Sequence, residues 1–96
     1  MILVQSVFQA KYGKGNELVE LFQEGRATWG SGRDMRILTD ASGPFFTVVT
    51  QAEVESLGEW EQQTQEIFNH PAFGEWFNRM TSLVESGRRE FYHIVA

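Results

Sequence analysis

The sequence contains no cysteine. That excludes disulfides and thiolate metal sites and leaves the redox compartment open. It holds only two prolines and two histidines, so helix breaks of the proline kind and proton carriers near neutral pH have few places to be. Basic residues are also scarce. Eight Lys and Arg stand against thirteen Asp and Glu, a formal charge of −5, which argues against non-specific binding to nucleic acid or to anionic membranes. No apolar run approaches the ~20 residues of a membrane span. Met1 leads straight into Ile2-Leu3-Val4, without the basic start or small-residue cleavage site of a signal peptide. The expectation is one soluble, cytoplasmic domain over residues 1–96, small enough that pairing with a second copy would help it bury surface.

Aromatic residues are what the chain has in quantity. They concentrate between Ser56 and Gly87, which holds Trp60, Phe68, Phe73, Trp76 and Phe77. Apolar residues recur there at helical spacing, as Leu57, Trp60, Thr64, Ile67 and Phe68, then as Phe73, Trp76, Phe77, Met80, Leu83 and Val84. Asn69-His70-Pro71 should break this segment into two helical pieces. Ser56 and Glu59 form a capping box at its start. Gly87 suits the position after its end, with Arg88-Arg89 easing the negative helix terminus.

Ile2–Ala10 reads as a strand. The Tyr12-Gly13-Lys14-Gly15 turn follows, and Asn16 is the expected N-cap of a helix running to about Trp29. Leu18, Leu21, Phe22, Gly25 and Trp29 make its apolar stripe. Gly25 lowers helix propensity by roughly 1 kcal/mol relative to alanine, and its missing side chain would allow a close approach. Gly30-Ser31-Gly32 should end that helix. Met35–Asp40 is a short strand, Ala41–Pro44 a hairpin turn, Phe45–Val54 the longest strand and Arg89–Val95 the last. The order is βαββαβ. The expected fold is α+β and ferredoxin-like, a four-stranded antiparallel sheet with its helices on one face. Both strand faces carry apolar residues, and a second face bare to water should be polar. Burying it against the same face of a second copy, as a two-fold homodimer, resolves the conflict.

These elements, the Tyr12–Gly15 turn, and the runs GPFFTVVTQAEVESLGEWE, NHPAFGEWF and ESGRREFYHIV resemble the dimeric α/β-barrel superfamily. Within it they are similar to the NIPSNAP-like and antibiotic-biosynthesis-monooxygenase-like branches. The resemblance spans essentially the whole chain. It implies a barrel-like core where two sheets meet and a cavity in each subunit between sheet and helices. Some members use that cavity for cofactor-independent oxygenation of aromatic compounds, others for haem breakdown, isomerisation or no known chemistry. Haem-degrading members place an asparagine on the first strand, where this chain has Gln5 and Ser6.

The candidate pocket residues are Ser6, Phe22, Trp29 and Trp60 with Phe68, Phe73, Trp76 and Phe77, because flat rings stack and bury much area. For each tryptophan the alternative is plain core packing. His93, Tyr92 and His70 are the candidate proton carriers. Against this, His93 reads equally as a satisfied core residue, and His70 as a cap on the second helical piece with Pro71 in its first turn. Glu66 and His70 share a helix face, but two ligands do not make a metal site. No cofactor and no metal are expected. Gly43–Val48 has a superficial likeness to the aromatic strand of an RNA-recognition domain, without its basic residue. Three functions stay open: a binder of a small apolar or aromatic molecule, a cofactor-independent monooxygenase of a phenol-like compound, and a structural or regulatory dimer with no ligand.

Overall fold

A computed structural model describes residues 1–29 and 34–96. The chain runs β1 (Ile2–Ala10), α1 (Gly15–Trp29), β2 (Met35–Thr39), β3 (Thr47–Val54), α2 (Leu57–Phe68), α3 (Phe73–Leu83) and β4 (Val84–His93). The four strands form one sheet in the order β2-β3-β1-β4, with every neighbouring pair antiparallel. This is the ferredoxin-like α+β arrangement expected from the element order. The expected end of α1 at Gly30-Ser31-Gly32 lies outside the described residues.

Alternation assigns the two faces of the sheet. Ile2, Val4 and Ser6 of β1 are buried, as are Val48 and Val54 of β3, so this face meets the helices. Two apolar clusters form on it. One joins Ala10, Leu18, Phe22 and Val48, with Phe8, Trp76 and Met80 packed around them. The other joins Ile2, Val4 and Val54 under Trp60. The outward face is more polar than the strand pattern implied. Gln51 Nε2 donates to Gln5 Oε1 at 2.8 Å, Gln5 Nε2 to Glu90 Oε1 at 3.2 Å, and Tyr92 Oη to Glu90 Oε2 at 2.9 Å. This chain of amides and acid crosses three strands between the apolar residues Leu3 and Val7.

The hydrogen bonds from Tyr92 and then Gln5 hold the Glu90 carboxyl below its usual pKa. A carboxylate with a lowered folded-state pKa stabilises the fold above the unfolded pKa, and that contribution disappears as pH falls through the folded value. Urea midpoints should therefore fall between about pH 6 and about pH 3 by less in Glu90→Gln than in the wild type.

Several boundaries differ from expectation, each for a local reason. Helix α1 starts at Gly15, with Leu18 N–H donating to the Lys14 carbonyl at 3.1 Å, so Asn16 sits in the first turn and is not the cap. A Cβ on Gly15 would stand 3.2 Å from the Phe46 ring, so the glycine makes room for that ring. Strand β3 begins at Thr47 and not at Phe45, because Phe46 adopts a φ of 62°. That left-handed conformation disfavours a side chain by about 1–2 kcal/mol. It is held by the Ala10 N–H, which donates to the Phe46 carbonyl at 3.0 Å, and by Tyr12, whose ring stands edge-on 4.9 Å away.

The capping box at α2 is present in modified form. Ser56 Oγ accepts from Glu59 N–H at 3.1 Å, while Glu59 reaches back to the N–H of Glu55 at 2.7 Å. Helix α3 starts at Phe73 with Ala72 at the cap, so Pro71 lies in the turn before it. The same helix ends at Leu83, four residues before Gly87. Lys11 N–H captures the Leu83 carbonyl at 2.8 Å, and Val84 begins the ladder with β1. Gly87 is thus a strand residue opposite Phe8, where a Cβ would meet the Phe8 ring at 3.2 Å and the Val7 carbonyl at 3.3 Å.

Candidate functional site

The space between sheet and helices is not filled. Across the helix-side face of the sheet, Thr50, Ser6 and Arg89 stand side by side on β3, β1 and β4. The next row toward one edge of the face is Ala52, Val4 and Phe91; toward the other it is Val48, Phe8 and Gly87. The middle row is short and polar at Thr50 and Ser6. It separates the two apolar clusters and cannot reach the helices, so a cavity of about 200 Å³ remains above it. The sheet supplies its floor through Val4, Ser6, Phe8, Thr50, Ala52 and Arg89. Helix α1 supplies Phe22, Arg26 and Trp29; α2 supplies Trp60, Thr64, Ile67 and Phe68; α3 supplies Phe73 and Trp76; Met35 of β2 completes the wall.

The aromatic wall is tightly interlocked. Trp76 stands edge-on to Trp29 at 5.0 Å and lies 6.0 Å from both Phe22 and Phe73. Its indole N–H donates to the Leu21 carbonyl at 2.8 Å, which fixes the ring's direction. Gly25 is the space this ring occupies: a Cβ there would lie 2.9 Å from Trp76 Nε1 and 2.5 Å from Trp29 Cζ2. Trp60, on the other wall, stands edge-on to Phe91 at 5.1 Å.

Seven of the eight expected pocket residues line this cavity: Ser6, Phe22, Trp29, Trp60, Phe68, Phe73 and Trp76. Phe77 stacks on the outer side of Phe73 at 5.6 Å and stays exposed. The three candidate proton carriers stand outside the lining. Tyr92 is on the outward face, bonded to Glu90, which raises its pKa above the usual phenol value. His93 ends β4 opposite Ile2, exposed. His70 closes the α2–α3 turn, its Nδ1 accepting from Ala72 N–H at 3.0 Å, with its ring 6.0 Å from Trp29. Among the described residues, no group of three or more His, Asp or Glu is placed to hold a metal ion.

Arg89 also lines the cavity, although the sequence presents it as the start of the last strand and a charge near the helix end, not as a pocket residue. Its Nε donates to the buried Ser6 hydroxyl at 3.0 Å, and its guanidinium lies 5.1 Å from the centre of the Trp60 ring. The residue is exposed to solvent, yet the desolvation of its inner side by the cavity walls lowers its pKa from the usual arginine value. Two-residue alternation back from Phe91, in the strand expected from Arg89 to Val95, puts Arg89 on the same face as Phe91, the helix side.

No family model and no curated protein sequence matches the chain. Solved structures do. A NIPSNAP domain protein from Burkholderia xenovorans superposes with a TM-score of 0.89 over 100% of this chain and 96% of that one, at 18% identity. The chain has the NIPSNAP fold. A NIPSNAP family protein from Agrobacterium tumefaciens gives a TM-score of 0.86 over 98% of this chain and 92% of the other, at 15% identity. SnoaB, a cofactor-independent oxygenase from Streptomyces nogalater, gives 0.72 over 99% and 93%, at 11% identity. The structural neighbours thus fall on the NIPSNAP and antibiotic-monooxygenase sides of the resemblance carried by the sequence. Among the described residues, no helix is long and apolar enough to cross a membrane.

Proposed function

We propose that this NIPSNAP-fold chain is a homodimeric, cytoplasmic binding protein for a small apolar or aromatic molecule held between sheet and helices. The observation that carries the reading is the cavity of about 200 Å³ walled by Trp29, Trp60, Phe73 and Trp76. A cavity of about 150 Å³ holds benzene, so the volume suits a substituted single ring. The three tryptophans of the chain all line it, and each indole N–H is a separate NMR reporter. Titration with a panel of one- and two-ring aromatics should shift all three resonances saturably. Shifts confined to exposed backbone amides would contradict the reading and favour a dimer without a ligand.

The dimer is supported by the outward sheet face. Leu38, Val49 and Val7 form one apolar row across β2, β3 and β1, and such a patch is normally covered. Val49→Glu should convert a dimer into a monomer in sedimentation velocity at micromolar concentration. A wild-type monomer under the same conditions would defeat this part of the proposal.

The likeness to an oxygenase favours a second reading, oxygenation of a phenol-like compound. Of the candidates His93, Tyr92 and His70, Tyr92 faces away from the cavity, which leaves the two histidines at its margin to handle protons. Such chemistry asks for little beyond a dry cavity and a group that directs a proton. Oxygen uptake over a panel of hydroquinones that survives metal chelation would support it. Unchanged turnover in the His→Ala variants would remove those bases.

A further inference from the structure

The cavity's charge is the reverse of the molecule's. The chain carries −5 overall, yet among the described residues the lining contains two arginines and no carboxylate. Arg26 is already engaged, its Nη1 donating to the Met35 carbonyl at 2.7 Å. Arg89 is not. Among the described residues its one side-chain hydrogen bond runs through Nε to Ser6, and it has no acidic partner. Both terminal nitrogens of the guanidinium therefore remain available as donors. The Ser6 oxygen accepts from Arg89, so its own proton is free to donate. Thr50, the neighbour of Ser6 across the ladder, adds another hydroxyl to the same floor. Trp60 holds the guanidinium by its face, which leaves the edge that carries the N–H groups unobstructed.

Among the described residues no acid pairs with Arg89. The residue is open to solvent on one side, and its donors converge with those of Ser6 and Thr50 on an aromatic-walled space. We propose that the cavity is a receptor for a small aromatic carboxylic acid. The carboxylate is held by the Arg89 guanidinium and the Ser6 hydroxyl, and the ring lies toward Trp76 and Phe73. The proposal rests on the reading of the cavity as a ligand site and narrows it to one chemical class. An arginine fork suits the two oxygens of a carboxylate in a way a single ammonium does not.

The test compares phenylacetate with phenylacetamide, which share shape and differ in charge. Each is titrated into the full-length wild type, Arg89→Gln and Ser6→Ala, with the three indole N–H resonances as the readout. In the wild type the acid should bind at least about tenfold more tightly than the amide, as charged hydrogen bonds imply. In Arg89→Gln that preference should vanish while the amide binds as before. Ser6→Ala should keep the fold and reduce the preference part-way. Equal binding of acid and amide by the wild type would overturn the anion proposal and leave the cavity reading standing. A preference that survives in Arg89→Gln would also overturn it. Binding of neither compound would overturn both. The Trp76 indole resonance, fixed by the Leu21 carbonyl, reports whether each variant is folded. If Arg89→Gln loses it, the wild-type pair and Ser6→Ala decide the outcome.

Discussion

Trp76→Ala is expected to lower the stability of the fold by about 3 kcal/mol, as Trp→Ala changes in packed interiors do. The ring joins α3 to α1 through Phe22, Trp29 and the space above Gly25. Its loss removes most of the aromatic part of the α3–α1 contact, leaving Met80 and Leu83 against the core, and it leaves the Leu21 carbonyl without the indole donor. Trp76→Phe separates the two effects. It keeps much of the ring and loses the hydrogen bond, so the expected loss is about 1 kcal/mol. Urea unfolding followed by far-ultraviolet circular dichroism measures both. A fall of less than half the expected value in Trp76→Ala would mean that α3 is anchored elsewhere.

Gly25→Ala should destabilise the protein although alanine is the better helix former. The propensity gain is about 1 kcal/mol. Against it, the new methyl group would lie 2.9 Å from Trp76 Nε1 and 2.5 Å from Trp29 Cζ2. Trp29 makes the closer contact and is itself packed against His70, Phe73 and Trp76. Trp76 is fixed by its hydrogen bond and by three aromatic neighbours, so the displacement falls on the interlocked wall. Overpacking of this kind costs about 1–3 kcal/mol; the 2.5 Å contact puts this site toward the upper end, so the net loss should be up to about 2 kcal/mol. The two sites share a contact, so their effects should not add. In the Trp76→Phe background the Nε1 atom is gone while the Trp29 contact remains, and Gly25→Ala should cost less than in the wild type. Equal losses in both backgrounds would show that Trp29 carries the clash.

Much of this arrangement was legible in the sequence, because periodicity and punctuation agree for most elements. The Ile2–Ala10 strand, the Ser56 cap and the break near Pro71 follow from local rules and stand where those rules put them. Gly25 was also readable as a site of close approach, though not which ring would use it. The boundaries that moved are those decided by distant partners. Phe46 leaves the strand because Ala10 and Tyr12 hold it from another part of the chain. Val84-Glu85-Ser86 reads as the end of a helix until β1 offers a ladder, and Gly87 as a cap until Phe8 needs its space. Local reasoning placed Arg89 at the first position of the last strand, where its strand neighbour is not visible; tertiary pairing placed it beside Ser6. The aromatic part of the cavity was visible as composition. Its polar floor was not, because a row across three strands exists only once their register is known.

The central claim is that the space above Thr50, Ser6 and Ala52 is a ligand site and not a packing defect. Ala52→Leu tests it most directly, since Ala52 lies on the floor and the added atoms project into the cavity. Thermal unfolding should be measured for wild type and variant, with and without saturating phenylacetate. The account predicts that the ligand raises the wild-type midpoint and leaves the variant unmoved, while the variant alone is at least as stable as the wild type, as cavity filling generally gives. An equal ligand-induced rise in both proteins would contradict it, because the ligand would then be held somewhere other than this cavity.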